Sequence, residues 1–328
     1  MKALVTGASG FIGSHVADVL AKTGIKVVAV LRKSSKTKWL ENKGFEFVYT
    51  DNYESSDFIN AVKNVNYVFH VAGLNFAKRK DDYYKVNTLG TRSMLESVYK
   101  HNPNIRRFVY IGSQTATGPS SSFNHPVDED SPLKPVTDYG RSKKLAEESV
   151  MSYFDKLPYT IIKPPAVFGP RDTAIYSLFR MMYFGFAAHI GLNKKYISLI
   201  HSHDLARGTV EAALSENAVN QTYFLTNDKF YDWDYISDVF KVQMNKSFYI
   251  KLKVPDPIVL TVGAINGFLW DMFGRQAKFD YNKAIDFTRE FWTCKSDKAK
   301  RDFGFQQTLS FNDAVRTTFE WYKFHKWL

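Results

Sequence analysis

The stretch Thr6-Gly7-Ala8-Ser9-Gly10-Phe11-Ile12-Gly13 follows a short β-rich run at residues 2–6 and opens an amphipathic stretch. In a turn between a strand and a helix, Gly7 permits the tight bend, Gly10 lets the backbone approach a pyrophosphate, and Gly13 lets the helix pack closely on the strand. The first amide groups of the helix then face the phosphates with a partial positive charge. The stretch therefore predicts a dinucleotide site, with a purely structural turn as the alternative.

Short apolar runs alternate with helical patterns through the first half of the chain. The runs that predict strands are 2–6, 26–31, 45–49, 67–71, 108–111 and 160–162, and the patterns that predict helices are 55–63, 81–100 and 139–154. Strands separated by helices of this length imply right-handed crossovers and a parallel sheet covered on both faces. We expect a doubly wound α/β domain over residues 1–170. We expect a smaller, mostly helical second domain over 171–328, with residues 198–226 returning to the first sheet.

Composition excludes several classes of protein. The chain has 328 residues and is 45% hydrophobic, enough to bury a full core, so a disordered or coiled-coil chain is excluded. Its one cysteine, Cys294, excludes a disulfide framework and a cysteine-based zinc site. The start Met-Lys-Ala-Leu-Val-Thr-Gly does not resemble a signal peptide, which predicts a cytoplasmic protein. The 44 Lys and Arg residues outnumber the 33 Asp and Glu residues but are spread along the chain, so we expect no nucleic-acid partner.

The residues after the second predicted strand indicate which cofactor is used. An NAD site usually carries an Asp or Glu there to bind the ribose hydroxyls, whereas this chain reads Val30-Leu31-Arg32-Lys33-Ser34. Arg32 is placed to meet a 2′-phosphate, and one such charge-assisted contact contributes roughly 1.5–3 kcal/mol, about tenfold to a hundredfold in affinity. The sequence therefore favours NADP(H) over NAD(H), with a solvated basic turn as the alternative.

Tyr139 and Lys143 stand four residues apart in a predicted helix, so their side chains share a face. An unperturbed tyrosine has a pKa of about 10, and a base active near pH 7 needs a pKa about 3 units lower. We expect the Lys143 ammonium and an oxidised nicotinamide to favour the phenolate. Ser113 follows the run at 108–111, where its hydroxyl can orient the reacting oxygen. Ser113, Tyr139 and Lys143 are thus the predicted catalytic residues, although the spacing also arises by chance and serines commonly end strands.

Together these motifs resemble the extended short-chain dehydrogenase/reductase family over almost the whole chain, which implies a Rossmann domain. The family's adenine-side acid resembles Asp51-Asn52, its strand-end Ala-Gly pair lies in Val71-Ala72-Gly73, and its cofactor-side Asn resembles Asn87. Its Arg-Pro-x-x-Val-Tyr-Gly-Pro segment resembles residues 163–170, with Lys163 in place of Arg. The expected cofactor contacts are Gly7, Gly10, Phe11, Ile12, Gly13, Arg32, Asp51, Asn52, Val71, Ala72, Gly73, Asn87, Tyr139, Lys143, Pro165 and Val167.

Departures from the family pattern bear on the substrate. Nucleotide-sugar epimerases and dehydratases of the family usually carry Asn or Gly where Ala166 stands, and a diphosphate-binding Arg where Ile197 stands. Residues 113–119 and Trp321-Tyr322 instead resemble the 3β-hydroxysteroid dehydrogenase and dihydroflavonol-reductase branches. The resemblance implies an oxidoreductase that transfers hydride between NADP(H) and a hydrophobic ketone or alcohol, lipid-like or polycyclic. A nucleotide-sugar epimerase, dehydratase or reductase and a non-catalytic dinucleotide sensor are the alternatives.

Three other segments carry predictions of their own. His201, His203 and Asp204 have metal-like spacing, but Asp204 is a natural helix N-cap, so we expect no metal site. Residues 115–137 predict a long loop without helix or central strand. Residues 257–273 predict a core helix, with a wall of the substrate site or a lipid-facing patch as alternatives. A small-molecule substrate is the expected partner, and a peripheral membrane contact and a homodimer stay open.

Overall fold

The computed structural model describes residues 1–273, 277 and 279–328. Its strands are β1 (Lys2–Thr6), β2 (Lys26–Leu31), β3 (Glu46–Tyr49), β4 (Tyr67–His70), β5 (Arg107–Ile111), β6 (Tyr159–Lys163), β7 (Ala166–Phe168), β8 (Phe186–Ile190), β9 (Tyr196–His201), β10 (Gln221–Phe224), β11 (Phe230–Asp232), β12 (Ile250–Val254) and β13 (Phe291–Trp292). Its α-helices are α1 (Phe11–Lys22), α2 (Ser56–Val62), α3 (Lys80–Tyr83), α4 (Gly90–His101), α5 (Gln114–Thr117), α6 (Asp138–Met151), α7 (Tyr176–Tyr183), α8 (Ser202–Leu214), α9 (Trp233–Gln243), α10 (Asp256–Met272), α11 (Tyr281–Thr288), α12 (Asp297–Phe303) and α13 (Phe311–Phe324). A π-helical turn (Tyr84–Leu89) joins α3 to α4.

The main sheet confirms the doubly wound fold predicted from the sequence. Among the described residues it has seven parallel strands in the order β3-β2-β1-β4-β5-β6-β10. The strand order reverses between β1 and β4, and in such sheets ligands bind in the crevice at the carboxyl ends of the strands beside this reversal. The carboxyl end of β1 leads directly into the glycine turn at Gly7.

Helices cover both faces of this sheet because neighbouring strand residues point to opposite sides. Leu4 and Val5 of β1 illustrate this, since they belong to two different core clusters. Val5 packs with residues of α1 and α8, among them Val16, Leu20, Leu205 and Val210. Leu4 packs with residues of α2, α4 and α6, among them Phe58, Met94, Leu95 and Val150. Both faces of the sheet are thus buried, as a parallel sheet requires.

The remaining elements surround a third core. Phe179 of α7 packs against Phe240 of α9 and Tyr322 of α13, with ring centroids 4.4 and 5.1 Å apart. Within residues 198–226, α8 packs on the main sheet and β10 joins its edge, whereas β9 pairs with β7, β11 and β13 in a second sheet. The division of the chain at residue 170 stays a prediction.

The predicted N-cap and the predicted loop were wrong in detail. The N-cap of α8 is His201, whose ring nitrogen accepts from the backbone N–H of His203. Asp204 lies inside the first turn, where its buried carboxylate accepts from Thr308 N at 3.0 Å and ties down the segment before α13. Residues 115–117 belong to the short helix α5, because Ser113 caps them. Among the described residues, no three His, Cys, Asp or Glu side chains are grouped as metal ligands.

The prediction of a core helix at residues 257–273 was also wrong. The helix α10 forms, but Val259 and Gly263 are its only buried residues. The apolar composition of α10 predicts burial, but other parts of the protein pack against only one narrow side of the helix. No helix among the described residues is both long enough and apolar enough to cross a membrane.

Candidate active site

The glycine turn between β1 and α1 has the shape that a pyrophosphate site requires. Gly7 has φ of +67°, and a Cβ there would lie 2.7 Å from the backbone N of Ala72. A Cβ on Gly13 would collide with the carbonyl oxygen of Gly7. Gly10 is the N-cap of α1, and no side chain of the described residues caps this helix, so its first amide groups are available to a ligand. The turn therefore fits the diphosphate of a dinucleotide.

Polar side chains stand at the ends of the two neighbouring strands. Arg32 follows β2 and is exposed, and its backbone N–H donates to Ser35 Oγ at 3.0 Å, which closes a turn. Asp51 and Asn52 follow β3 and are exposed. The side-chain oxygen of Asn52 accepts from Glu54 N at 2.9 Å, so it holds the local turn. Because β2 and β3 are adjacent and parallel, the structure brings Arg32, Asp51 and Asn52 to one edge of the sheet.

Asn87 organises the segment that follows β4. Its side-chain oxygen accepts from Leu74 N at 2.7 Å, and its amide nitrogen donates to Leu74 O at 3.1 Å and to Ser142 Oγ at 3.0 Å. These bonds tie Val71-Ala72-Gly73, through Leu74, to α6. A Cβ on Gly73 would lie 3.4 Å from the Asn87 oxygen. In this geometry Asn87 positions the strand-end segment, and its direct contact with a cofactor stays a prediction.

The segment after β6 borders the same crevice from the other side. The carbonyl oxygen of Pro164 accepts from Gln114 N at 2.9 Å, which joins this segment to α5. Pro165 is half-buried, and Val167 packs against the core cluster that contains Val5. Phe11 and Ile12 are likewise half-buried, at the start of α1. Their predicted cofactor contacts stay predictions.

Two residues chosen from the sequence as markers of the substrate lie in β7 and β9. Ala166 is exposed and pairs in register with Leu199, whereas Ile197 is half-buried and packs against the third core cluster. Ile197 pairs in register with Tyr231 and Trp292. The apolar side chain at position 197 is therefore explained by its packing in the third core cluster, and it would also fit beside an apolar substrate.

Ser113, Tyr139 and Lys143 are brought together where β5 meets α6. Ser113 follows β5 and accepts hydrogen bonds from the backbone N–H and the hydroxyl of Thr115, at 3.2 and 2.8 Å. Tyr139 and Lys143 lie one turn apart on α6. A Cβ on Gly140 would lie 2.5 Å from Thr115 O, so this helix lies directly against the segment that holds Ser113. The Ser113 hydroxyl is close enough to Tyr139 to lower the pKa of the phenol.

Burial dominates the electrostatics of both ionisable groups. It raises the pKa of Tyr139 to about 12, an effect that exceeds the lowering by Ser113 and that Asp286 reinforces. It lowers the pKa of Lys143 to about 7. The Lys143 ammonium donates to Ile111 O at 2.6 Å and lies 4.4 Å from the ring centroid of Tyr110. The pKa of Tyr139 is thus above 10 in the chain by itself, and the expectation that Lys143 and an oxidised nicotinamide together favour the phenolate stays a prediction.

A buried ion pair that the sequence motifs did not indicate lies beside Lys143. Glu147 lies one turn beyond Lys143 on α6, and its carboxylate is 2.9 Å from the Lys163 ammonium, with both side chains 3% exposed. The Glu147 carboxylate raises the pKa of Lys143, against the larger effect of burial. Lys163, which replaces the family's Arg, therefore serves as the counter-ion of Glu147. The i,i+4 spacing of Lys143 and Glu147 was the available signal.

Side chains from outside the predicted motifs line the approach to Tyr139. The ring of Tyr83 lies 5.9 Å from the ring of Tyr139, centroid to centroid. From α11, the Lys283 ammonium lies 5.4 Å from the Tyr139 ring centroid and 3.4 Å from Asp286 Oδ2. Burial raises the pKa of Asp286. The helix α11 therefore places an ammonium and a carboxylate beside the tyrosine.

Comparison with known proteins agrees with this architecture. Residues 3–225 match the model of the NAD dependent epimerase/dehydratase family. The chain is 22% identical over 322 residues to the sterol-4-alpha-carboxylate 3-dehydrogenase, decarboxylating, of Dictyostelium discoideum, covering 95% of this chain and 98% of that protein. It is 25% identical over 327 residues to the ceramide reductase of Caulobacter vibrioides, covering 99% and 95%. The crystal structure of a UDP-glucose 4-epimerase from Thermotoga maritima has a TM-score of 0.79 and 21% identity, covering 99% of this chain and 100% of that one.

The family model spans well over half of the chain and includes the glycine turn, β5 and α6. The two curated relatives named above extend the similarity beyond residue 225, to nearly the whole chain. The chain therefore belongs to the NAD dependent epimerase/dehydratase family and is an NAD(P)-dependent enzyme of the extended short-chain dehydrogenase/reductase type.

Proposed function

We propose that this protein is an NADP(H)-preferring oxidoreductase that interconverts a ketone and a secondary alcohol on a hydrophobic substrate, lipid-like or polycyclic. One observation carries the proposal. Ser113, Tyr139 and Lys143 meet at the carboxyl end of β5, within the crevice that the glycine turn opens. The glycine turn would hold the diphosphate of a dinucleotide, and Tyr139 and Lys143 would contact its nicotinamide ribose.

Each of the three side chains then has a distinct task. Ser113 donates a hydrogen bond to the substrate oxygen and orients it toward Tyr139. In reduction, the Tyr139 hydroxyl transfers its proton to the carbonyl oxygen, and in oxidation the phenolate takes the proton back. Lys143 holds the nicotinamide ribose and places a positive charge near Tyr139. When bound, the dinucleotide donates or accepts the hydride at C4 of its nicotinamide.

Arg32 supports a preference for NADP(H). It is exposed at the carboxyl end of β2, where an NAD site usually carries an acid. A guanidinium binds a phosphate through paired hydrogen bonds, and one charge-assisted contact contributes roughly 1.5–3 kcal/mol. NADP(H) is therefore the cofactor that this position favours.

Three observations support an apolar substrate. Aromatic rings stand beside the catalytic phenol: Tyr83 is its ring neighbour, and Phe76 shares the Lys283 ammonium with it. Ile197 occupies the position at which the sugar-nucleotide enzymes of the family carry an Arg. Two of the curated relatives that cover nearly the whole chain are named for a sterol and for ceramide, both of which are lipids. The cytoplasmic location predicted from the sequence stays a prediction.

The decisive experiment compares NADPH and NADH consumption across lipid-type ketones and nucleotide sugars. We expect turnover with NADPH and an apolar ketone, and loss of turnover with retained cofactor binding in Tyr139→Phe. Tyr83→Phe is the matched control, because it removes the hydroxyl of a neighbouring tyrosine and should keep turnover. Undiminished activity of Tyr139→Phe would refute its role. Saturable binding of a UDP- or GDP-sugar, with a cofactor that stays bound through turnover, would instead establish an epimerase or dehydratase.

A further inference from the structure

The helix α10 is attached to the protein along one narrow side. A Cβ on Gly263 would lie 2.7 Å from the Ala284 Cβ and 2.8 Å from Asp280 O, so the helix backbone lies directly against the start of α11. Near its C-terminal end, Asn266 donates to Phe279 O at 2.6 Å. Val259 and Gly263 are the buried residues of the helix, and the small residue at 263 permits the close approach.

The opposite side of α10 is apolar and exposed. Its outer face consists of five side chains spaced 4, 3, 4 and 3 residues apart, each between 46% and 67% exposed: Ile258, Val262, Ile265, Leu269 and Met272. This spacing places them in one stripe along the helix. Phe268 and Phe273 beside the stripe are more than half exposed as well. From Pro257 to Trp270 the helix carries no charged residue. An exposed apolar surface of this extent marks an interaction site.

The strands β8 and β12, which precede α10 in the chain, also expose apolar side chains. In β12, Ile250 and Leu252 point to one side and are exposed, and Ile250 pairs in register with the exposed Phe186 of β8. Lys251 and Lys253 alternate with them on the other side. The chain from 245 to 279 contains five basic and two acidic residues. One of the acids, Asp256, forms an ion pair with the buried Lys195 at 3.0 Å, and one of the bases, Lys251, forms an ion pair with Asp234 at 2.6 Å, so the segment keeps an excess of positive charge.

We infer that α10 docks this protein on the surface of an anionic bilayer, with its outer face inserted among the lipid headgroups and acyl chains. An apolar helix flanked by basic residues and carrying Trp and Phe is typical of helices that lie in the membrane interface. At 17 residues α10 is about 25 Å long, which suits a helix in the plane of the membrane. A second copy of the chain is a poorer occupant, because a symmetric contact brings the basic segment against itself.

The inner side of α10 gives this docking a consequence for catalysis. A cavity of about 270 Å³ lies between α10 and residues 77–83, lined by Ala264, Gly267 and Phe268 on the helix and by Tyr83 opposite. Charged side chains, among them Lys80, Asp271 and Asp280, also line it. Tyr83 is the ring neighbour of Tyr139. A bilayer on the outer face of α10 thus lies one helix away from the approach to the catalytic phenol. Delivery of a lipid substrate along this route rests on the proposed function, whereas the docking itself does not.

The test is co-sedimentation of the full chain with vesicles of phosphatidylcholine, with and without phosphatidylglycerol. We expect binding to the mixed vesicles that weakens as salt is raised, and little binding to phosphatidylcholine alone. The double variant Val262→Glu/Ile265→Glu should bind at least about tenfold more weakly, because it places two charges in the apolar stripe. Both positions are exposed, so the fold should be retained, which circular dichroism and NADPH binding check.

Phe154→Glu is the matched control, because Phe154 is also exposed and apolar but lies in the segment between α6 and β6, outside α10. It should bind vesicles like the unchanged protein. Absence of binding to mixed vesicles, or equal binding by the double variant, would overturn the inference. The unchanged protein could instead sediment as a dimer and fail to bind vesicles, while the double variant sediments as a monomer. That result would identify the outer face of α10 as an interface between two copies and would also overturn the inference. None of these measurements requires turnover, so failure of the membrane-docking inference can be distinguished from failure of the proposed function.

Discussion

Replacing Glu147 by Gln should leave a buried cation without its counter-ion. The Glu147 carboxylate and the Lys163 ammonium are 2.9 Å apart, and both side chains are 3% exposed. Removing one partner of such a pair costs about 3–5 kcal/mol, because the remaining charge stays desolvated. We therefore expect Glu147→Gln to lower the free energy of unfolding by about this amount, as measured by urea denaturation with NADP(H) omitted.

Two further variants separate the ion pair from a general effect of substitution. Glu147→Gln combined with Lys163→Met removes both charges at similar volume, and replacing a buried pair in this way is often nearly neutral, so most of the stability should return. Glu148→Gln is the surface control: its pair with Lys144 spans 3.8 Å between partly exposed side chains, and it should cost less than about 1 kcal/mol. A Glu147→Gln variant no less stable than Glu148→Gln would refute the reasoning.

The same substitution should also be visible in catalysis. Burial lowers the pKa of Lys143 to about 7, and the Glu147 carboxylate opposes that shift. Removing the carboxylate lets the pKa of Lys143 fall further, so the ammonium is lost at a lower pH. In Glu147→Gln, the decline of kcat/KM on the alkaline side should therefore begin at a lower pH than in the unchanged enzyme.

Three other predictions follow from the site. Arg32→Gln should reduce the ratio of kcat/KM for NADPH to that for NADH by about tenfold to a hundredfold, with Lys33→Gln as the control that should change it less. Asp286→Asn should lower the pKa of Tyr139, because the carboxylate raises it, and an upward shift in the pH–rate profile of this variant would contradict the assignment. Lys143→Met removes a lysine whose pKa is about 7 when folded and 10.5 as reference. Between pH 7 and 10.5 the unfolded chain binds this proton and the folded chain does not. The free energy of unfolding of the unchanged protein should therefore rise by up to about 5 kcal/mol relative to that of the variant over this pH range.

The sheet could be predicted from the sequence because its strands are buried on both faces. All residues of β4, β5 and β6 are buried, so each appears in the sequence as a short, largely apolar run. The glycine turn was equally predictable, since its function depends on residues within one turn of chain. Tyr139 and Lys143 belong to this class as well, because four residues of helix determine their relation.

The features that could not be predicted from the sequence depend on contacts between segments that are distant in the chain. Lys283 reaches Tyr139 from 144 positions along the chain, and no periodicity within either segment indicates that contact. Glu147 meets Lys163 only because α6 and β6 pack together. The exposure of α10 is of the same kind: its composition specifies an apolar helix, but the number of elements that pack against it is a property of the whole chain.

The pKa values of the site indicate what the fold contributes and what it leaves to the cofactor. With its pKa raised to about 12, Tyr139 is protonated at neutral pH, which is the form that donates a proton to a carbonyl oxygen. Forming the phenolate at pH 7 would cost about 7 kcal/mol, because each pKa unit corresponds to about 1.4 kcal/mol. In the proposed reaction, the chain alone would therefore keep the tyrosine in the protonated form that reduction requires. Oxidation requires an added positive charge near the phenol, and an oxidised nicotinamide carries one, so the two directions place different electrostatic demands on the same three residues.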